Sequence, residues 1–409
     1  MYRYNLLAAQ NFTYTTAFNE DAKMKTTRLF GTLIAAFFFV LPMDRQAQAE
    51  WQYVGGTKVS SGAGEWISIA IDSKNVPFVA YQDGDKENKA SVMKFDGANW
   101  VPVGLPGFSA TAATYLTLAV DRGDIPYIAY ANWPNGGKAN VMKFDGTNWV
   151  QVGAVNFSLG TIGFPSLAFD NDNIPYIAYE DHANENKASV MKFDGTNWVQ
   201  VGSPGFSAGT AWNVTIAINS EKVPYVAYID DEYNNHKTSV MKFDGTNWIQ
   251  VGSPGFSAHP INWPNLVLDS NDVPYVAYCD GGRASAMKFN GSDWVQVGTA
   301  GFTEKAAFGV SLALDKDNTP YVAYYNYDDN KANVMNFNGT GWLAVGTPNF
   351  SSGAVAYTDL AIDSSGIPYI AYKNQANDGK VSVMKFVNNS PSSSTSAAMP
   401  WLPLLLLKK

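Results

Sequence analysis

The sequence predicts an all-β protein, a seven-bladed β-propeller built from four-stranded repeats of about 49 residues. The first observation is a thirteen-residue segment, Val-Met-Lys-Phe-Asp-Gly-Thr-Asn-Trp-Val-Gln-Val-Gly, found unchanged from Val141 to Gly153 and from Val190 to Gly202. The second is that its looser copies keep a spacing of 46 to 50 residues; they begin at Val92, Val240, Ala286, Val334 and Val383. A fixed period of this length indicates one supersecondary unit copied along the chain.

Each copy contains four short runs that are typical of β-strands. In the third copy they are Ser166 to Asp170, Pro175 to Tyr179, Ala188 to Phe193 and Trp198 to Val201. The runs are rich in β-branched and aromatic residues and lack a sustained helical period. The first three carry apolar residues at both parities, which predicts sheets covered on both faces, as in the stacked blades of a propeller.

Turn residues separate these runs. The segments Asp170-Asn-Asp-Asn173 and Asp194-Gly195-Thr196-Asn197 each connect two of the predicted strands. Asn, Asp and Gly accept the positive φ angles of tight hairpins, and Asx side chains bond to the backbone two residues further on. The two connections therefore read as short hairpins, whereas the other two connections of each repeat are longer and more variable.

The two ends of the repeat region predict how the ring closes. The last copy stops at Phe386, where its Trp strand should follow, and a matching strand stands at the start, from Trp51 to Gly55. Trp51 precedes Trp100 by 49 residues and so keeps the register. Pairing of the first strand with the last sheet would remove exposed edges. An open solenoid, which would need capping repeats, is the less favoured alternative. The predicted propeller domain spans residues 50–387.

Composition limits the classes of partner and chemistry. The net charge is -8 and the isoelectric point is near 4.9, which argues against nucleic acid, whose phosphates require a basic surface. Cys279 is the single cysteine, so no disulfide can form within the chain.

Residues 1–49 have the pattern of a leader followed by an export signal. A basic start, Met24 to Arg28, precedes an apolar run from Leu29 to Leu41 and the small-residue site Ala47-Gln-Ala49. We expect cleavage after Ala49 and a secreted or surface-displayed protein, with either Met1 or Met24 as the start of translation. The apolar run is shorter than the ~20 residues of a membrane-spanning helix.

Residues 388–409 form a Ser-rich linker, a short hydrophobic stretch from Met399 to Leu407 and two lysines. This tail resembles the sorting tails of Gram-negative surface proteins of the GlyGly-CTERM type, although it has no Gly-Gly or Cys motif. The resemblance implies surface anchoring; a tail without a role is the alternative.

The repeats resemble those of uncharacterised bacterial secreted propellers that read SLAxDxxxxPYxAYxD followed by KASVMKFxGxxWxxVG, and this likeness implies no activity. At the level of the superfold they are similar to kelch-type and fucose-lectin-type propellers, but the Gly-Gly doublet of kelch repeats is missing. A sialidase needs three arginines on a carboxylate, whereas the domain contains Arg122 and Arg283 alone. Fold by itself does not define a function.

Aromatic residues recur at the predicted mouth of the central channel, at the start of each first strand. They are Trp66, Tyr115, Phe164, Trp263 and Tyr357, with Trp212 and Phe308 displaced by one residue. One interpretation is a set of ring faces for sugars, and the favoured one is that the rings pack and plug the mouth.

Two polar series follow on the same strands. The first holds Ser68, Thr117, Ser166, Thr215, Asn265, Ser311 and Asp359, and the second holds Asp72, Asp121, Asp170, Asn219, Asp269, Asp315 and Asp363. The second series could surround a cation, but capping of the adjacent turns is the favoured reading, so no metal site is predicted.

The variable loops between second and third strands have an acid or amide at one neck and a base at the other. The acids and amides are Asp83, Asn132, Asp181, Asp230, Asp280, Asn326 and Asn374, opposite Lys89, Lys138, Lys187, Lys237, Arg283, Lys331 and Lys380. We expect these pairs to pin the loops. The alternative is a polar cup for sugar hydroxyls, with Trp133, His182, Tyr233 and Tyr327 as loop contacts.

Motifs for catalysis are lacking. The histidines, His182, His236 and His259, do not recur between blades, and the sequence has no nucleophile elbow, zinc-protease motif or phosphate loop. A glycosidase with paired carboxylates stays open, because their separation in space decides it. The sequence therefore favours a monomeric binding protein for extracellular glycan without a cofactor. A protein-interaction platform is the alternative, and a glycoside-acting enzyme is less favoured.

Overall fold

The computed structural model describes residues 49–232 and 236–388, which form 28 strands in seven four-stranded antiparallel sheets. The predicted all-β, seven-bladed propeller is confirmed. The expectations for the leader, the signal peptide up to residue 48, the tail after residue 388 and Tyr233 lie outside the described residues.

Blades 1 to 7 follow the chain, and in each the first strand is innermost. Blade 1 consists of β2 (Gly64–Ile71), β3 (Pro77–Asp83), β4 (Lys89–Phe95) and β5 (Trp100–Pro102). Blade 2 consists of β6 (Ala113–Val120), β7 (Pro126–Asn132), β8 (Lys138–Phe144) and β9 (Trp149–Gln151). Blade 3 consists of β10 (Ile162–Phe169), β11 (Pro175–Asp181), β12 (Lys187–Phe193) and β13 (Trp198–Gln200).

Blade 4 consists of β14 (Ala211–Ile218), β15 (Pro224–Asp230), β16 (Lys237–Phe243) and β17 (Trp248–Gln250). Blade 5 consists of β18 (Ile261–Leu268), β19 (Pro274–Asp280), β20 (Arg283–Phe289) and β21 (Trp294–Gln296). Blade 6 consists of β22 (Ala307–Leu314), β23 (Pro320–Asn326), β24 (Ala332–Phe337) and β25 (Trp342–Ala344).

Blade 7 combines both ends of the domain: β26 (Val355–Ile362), β27 (Pro368–Asn374), β28 (Lys380–Val387) and β1 (Glu50–Tyr53). Strand β1 lies antiparallel to β28, with Trp51 opposite Phe386 and Tyr53 opposite Met384. The predicted closure of the ring is therefore confirmed. The described part of the chain has four single-turn 3-10 helices in loops between second and third strands: Gly84–Lys86, Trp133–Asn135, His182–Asn184 and Gln375–Asn377. Among the described residues no helix has the length and apolar character needed to cross a membrane.

The core lies between neighbouring blades. One apolar cluster, for example, joins Phe78 and Val92 of blade 1 to Leu118 and Ile128 of blade 2, all almost completely buried. Both faces of each sheet are covered in this way, which explains why the strands carry apolar residues at both parities.

A tryptophan joins each blade to the preceding one by a hydrogen bond. The indole Nε1 donates to the carbonyl oxygen of a Val in the preceding blade at 2.7–2.8 Å in all seven cases: Trp51, Trp100, Trp149, Trp198, Trp248, Trp294 and Trp342. Six of these rings, all but that of Trp100, also stack on a Phe of the connecting segment, as Trp149 does on Phe108 at 4.2 Å. The Trp series is therefore structural.

The first polar series also joins blades. At five of the seven seams its side chain accepts a hydrogen bond from a backbone N–H of the next inner strand, for example from Leu118 to Ser68 at 3.2 Å and from Ile69 to Asp359 at 2.9 Å. Because inner strands lack a neighbour on their channel side, these bonds satisfy backbone groups that would otherwise face the channel.

The second polar series caps turns. In every blade one side-chain oxygen accepts two backbone N–H groups, as Asp170 does from Asp172 at 2.9 Å and from Ile174 at 3.0 Å. The same pattern holds at the other six positions. The described residues contain no group of three or more His, Cys, Asp or Glu placed to hold a metal ion. The favoured reading as turn caps is confirmed.

Candidate functional site

The ring has two unlike faces. The loop face carries the variable loops between second and third strands and the segments that join blades; the hairpin face carries the short turns. The inner strands begin on the loop face, at the channel mouth, which comprises Trp66, Tyr115, Phe164, Asn213, Trp263, Gly309 and Tyr357 together with the residue that precedes each.

A β-bulge builds this mouth in every blade. The pairing of the first two strands breaks between positions such as Glu65 and Ser68, and the residue in the break has a positive φ. That angle is 49° at Trp66, 54° at Tyr115 and 44° at Phe164. Bulky residues rarely adopt this conformation, which costs roughly 1–3 kcal/mol. Five blades nevertheless place an aromatic ring there.

The bulge also explains the two displaced aromatics. In blades 4 and 6 the strained position holds Asn213 and Gly309, with φ of 50° and 58°, and Trp212 and Phe308 stand one residue earlier, still paired with the second strand. Their side chains therefore leave the strand in a different direction from the other five.

One half of the mouth is packed. Ring centroids are separated by 5.3 Å between Tyr357 and Trp66, by 4.6 Å between Trp66 and Tyr115, and by 4.5 Å between Tyr115 and Phe164. All four side chains are half-buried. In blades 7, 1, 2 and 3 the rings thus pack on one another, as the plug interpretation expects.

The other half is open. Trp212 and Trp263, on the inner strands of adjacent blades, expose 39% and 40% of their surfaces. Trp263 contacts Phe308 edge to face at 6.0 Å, and Phe308 lies 5.5 Å from Tyr327, which is 65% exposed. The structure therefore divides the seven predicted aromatics into a packed group and an accessible group.

The loop contacts lie further out on the same face. Trp133 is 46% exposed at the start of its 3-10 turn, and His182 begins the equivalent turn in blade 3. Tyr327 joins the open half of the mouth through Phe308. No single cluster gathers Trp133, His182 and Tyr327, because they belong to loops of blades 2, 3 and 6.

The necks of the loops are pinned in a different way from the one expected. Asp83 does lie opposite Lys89, but it accepts from Ser91 Oγ at 2.7 Å and from the Asp85 N–H at 3.1 Å. Lys89 pairs instead with Glu87 at 3.1 Å, and Lys187 likewise with Glu185 at 3.3 Å. The expectation of an ion pair is wrong at these two necks because the buried carboxylate is already satisfied by its own loop.

Sequence reasoning missed one polar pair. Glu180, on β11, is only 2% exposed, and its Oε1 lies 3.2 Å from Nε2 of His182. Burial raises the pKa of Glu180 to about 7 and lowers the pKa of the His182 imidazole. The available signal was that the equivalent position in the other blades never holds an acid; it holds Gln82, Ala131, Ile229, Cys279, Tyr325 and Lys373.

Grooves on the hairpin face were also missed. They lie at the seams from blade 3 to blade 7, with volumes of about 710, 390, 450 and 560 Å³ in chain order. Each is lined by the Tyr of one blade and by the Pro and Phe of the next, as Tyr225, Pro274 and Phe289 line the second. A smaller cavity of about 280 Å³ lies on the loop face between blades 3 and 4.

No protein-family model and no curated protein sequence matches the chain. Among solved structures it is similar to a polysaccharide lyase of family PL25, an ulvan lyase. The TM-score is 0.51 at 13% identity over 84% of this chain and 95% of that one. The same lyase bound to -[GlcA(1-4)Rha3S]- gives 0.50 at 13% identity over 83% and 96%.

Two further similar structures belong to other classes of protein. One is described as the extracellular domain of a hybrid two-component system from B. thetaiotaomicron, with a TM-score of 0.52 at 14% identity over 82% of this chain and 39% of that one. The other is a mutant Aleuria aurantia lectin in complex with Fucalpha1-6GlcNAc, at 0.48 and 14% over 72% and 99%. At these identities the likeness concerns the fold, a β-propeller.

Proposed function

We propose that the protein is a carbohydrate-binding propeller that holds glycan at the open half of its channel mouth. The observation that carries this proposal is the exposure of Trp212 and Trp263 on adjacent inner strands, whereas the mouth rings of four other blades are packed together. An exposed indole offers an apolar face to the C–H groups of a sugar ring and an N–H to its hydroxyls.

Charge favours neutral sugars at this site. Around the mouth, the positive charge of Lys373 is already offset by Glu65 at 2.9 Å. The whole chain has a net charge of -8. Such a surface repels sulfated or uronate-rich chains through its summed field. The solved lyase with an acidic oligosaccharide supports the use of this fold for glycans, and our proposal differs from it in the charge of the ligand.

The protein is further proposed to bind its ligand without transforming it. The imidazoles of His182, His236 and His259 lie within 2.9–3.6 Å of carboxylates, but they belong to separate blades. A general acid and a general base must reach the same bond, so single dyads on three blades do not form one reaction centre. The predicted signal segment supports a place outside the cytoplasm for this activity.

A glycan array of neutral and acidic oligosaccharides tests the proposal, followed by calorimetry with the best ligand and competition by free sugar. We expect Trp212→Ala and Trp263→Ala to lose binding. The control is Leu343→Ala, which removes a side chain that is 52% exposed on the outer strand β25. Equal affinity of all three variants would overturn the proposed site.

Exposed aliphatic side chains favour a second candidate function, a protein-interaction platform. Leu105, Val155 and Leu159, on the segments that join blades 1, 2 and 3, are 77%, 64% and 82% exposed. Apolar exposure of this size on neighbouring segments is typical of protein contacts. A blank glycan array, with a partner captured by the wild type and lost with Leu159→Ser, would favour this candidate.

A further inference from the structure

A side-chain hydrogen bond forms a bridge between blades 1 and 2. Gln82 Nε2 donates a hydrogen bond of 3.0 Å to the carbonyl oxygen of Ala113, the first residue of the next inner strand. Glu180 occupies the same position in blade 3, and Ala211 occupies the position of Ala113 in blade 4. The two pairs have the same separation of 31 residues along the chain. A carboxyl can replace the amide of Gln82 as a donor only while it carries a proton.

We infer that Glu180 is a protonated bridge from blade 3 to the start of β14, sharing its proton with His182, and that loss of this proton shifts Trp212 and weakens binding at the channel mouth. The last step rests on the proposed function, since it assumes that Trp212 contacts the glycan.

The surroundings of Glu180 favour the neutral form. Within its sheet it lies opposite Gly163 on one side and Ala188 on the other, so two small residues leave room for the carboxyl. A Cβ on Gly163 would lie 2.7 Å from Glu180 Oε2, which shows how closely the carboxyl covers that glycine. An isolated carboxylate in such a place loses its hydration without compensation.

The charged and titratable groups near this carboxyl are few. Tyr115, on β6 of blade 2, has its pKa raised first by burial and then by the charge of Glu180. His182 contacts Glu180, with its Nε2 at 3.2 Å from Oε1, and the negative charge of Asp181 acts on the imidazole from the same strand. Because burial lowers the pKa of the imidazole, the ring is uncharged where Glu180 ionises and does not offset its charge.

The proton balance follows from these groups. In acid the carboxyl O–H donates to the next blade or to His182 Nε2. As the pH rises through about 7, that proton goes to solvent; the neutral imidazole then changes tautomer, with its proton on Nε2 instead of Nδ1, and the carboxylate accepts from Nε2–H. The ionised group cannot donate and faces the start of β14 with negative charge.

The start of β14 is where this change reaches the binding site. Ala211 is followed directly by Trp212, one of the two exposed tryptophans of the open half. A donor bond that is made in acid and lost in base therefore acts one residue away from the indole. Ala211 and Trp212 pair with Asp230 and Ile229, and the bulge then interrupts the pairing until Thr215, so the start of β14 is held to β15 by only these two residues.

Carbon NMR of Glu-labelled protein, combined with the indole N–H resonance of Trp212, tests the inference without any ligand. We expect one carboxyl midpoint near 7, shared by the Trp212 indole, and neither titration in Glu180→Gln, which recreates the Gln82 arrangement. His182→Gln should move the midpoint, whereas His259→Gln, which removes an imidazole 2.9 Å from Asp280, should not. A Glu180 midpoint at the ordinary value of 4.5 would overturn the inference, as would an indole that does not titrate.

Affinity for a neutral array-selected oligosaccharide is the second measurement. One linked proton changes affinity by at most about tenfold per pH unit, so we expect binding roughly tenfold weaker near pH 8.5 than near pH 6. Glu180→Gln should bind equally at both values. Absence of glycan binding at every pH, with the shared NMR midpoint intact, would overturn the proposed function and leave the proton-linked bridge. If the affinity of the wild type did not change with pH, the link between the Glu180 proton and glycan binding would be overturned.

Discussion

The indole Nε1 of Trp51 donates a hydrogen bond of 2.7 Å to the carbonyl oxygen of Val345, 294 residues further along the chain. Its ring also stacks on Phe350 with centroids 4.4 Å apart. The bond repeats in kind the one that every other blade makes with its predecessor, so a residue from the start of the domain completes the last seam. The ring is thus closed by the same kind of hydrogen bond that joins its other blades.

Deletion of residues 50–56 should therefore destabilise the protein far more than its length suggests. It removes β1, exposes the edge of β28 and opens the seam between blades 6 and 7. The single change Trp51→Ala should cost about 3–5 kcal/mol, as for a buried aromatic. Urea denaturation measures both, and a truncated protein that unfolds like the full one would rule out the closing role of β1.

Trp198→Ala should lower stability without lowering affinity for ligand. The ring is 7% exposed, stacks on Phe157 at 4.7 Å and donates to the Val152 carbonyl at 2.8 Å. We expect a loss of about 3–5 kcal/mol in the free energy of unfolding. Trp198→Phe keeps a stacked ring and loses the hydrogen bond, so it should cost less. A stable Trp198→Ala that no longer binds would show that this series belongs to the site.

The repeat made most of the fold predictable. Because Trp51 keeps the spacing of Trp100 and its successors, the sequence alone placed β1 in the last blade, and the Asp residues before Pro175 and its equivalents indicated the turns. The turns follow from the residue types at each position and the closure follows from the repeat spacing, and both are visible in a chain of near-identical units.

The site was less predictable, because it depends on how strands meet. Nothing in the sequence shows the bulge that turns Trp66 and leaves Trp212 one residue earlier, since a bulge is a break in pairing register. Likewise, Lys89 stands opposite Asp83, but the choice of Glu87 as its partner follows from burial of that aspartate. Glu180 and His182 are only two residues apart, but the burial of Glu180 opposite Gly163 and Ala188 depends on the neighbouring strands.

Asp359→Asn should stabilise the protein at neutral pH. Asp359 faces the channel, and burial raises the pKa of its carboxyl despite four hydrogen bonds from Ser68, Ile69, Ser311 and Leu360. The equivalent residue of blade 5, Asn265, makes the same inter-blade bond through an amide oxygen at 3.2 Å. Asparagine therefore keeps the acceptor and removes the buried charge.

The sign of its pH dependence checks the cause. A carboxyl whose pKa is raised on folding gives stability that is complete below its unfolded value and is lost as the pH rises through the folded one. The gain from Asp359→Asn should thus be largest at neutral pH and vanish in acid. Thermal unfolding across pH, with Asp194→Asn in an exposed hairpin as control, measures it; a gain that persists in acid would point to another cause.

Glu180 should also make stability fall with rising pH. Its pKa is 4.5 ordinarily and about 7 in the folded protein, so the native state holds a proton that the unfolded chain has released. Stability is therefore complete below about 4.5 and decreases through 7. The shift corresponds to about 3 kcal/mol at most. Glu180→Gln should remove this slope and be the more stable protein near pH 8; a variant that keeps the wild-type slope would exclude Glu180 as its source.

Changes at the aromatic mouth should separate stability from binding. Trp66→Ala and Tyr357→Ala remove rings from the packed half, so they should lower the free energy of unfolding and leave an intact ligand surface. Trp212→Ala and Trp263→Ala remove exposed rings, so they should lower affinity and leave the free energy of unfolding nearly unchanged. We expect each to weaken binding about tenfold, which corresponds to about 1.4 kcal/mol. Calorimetry and urea denaturation on the four variants, beside the hairpin control Asp194→Ala, measure both quantities. If the packed-half variants lost the ligand and the exposed pair kept it, the site would lie over blades 7, 1, 2 and 3. Equal binding by all five would place it off the mouth, with the hairpin-face grooves as the next surface to test.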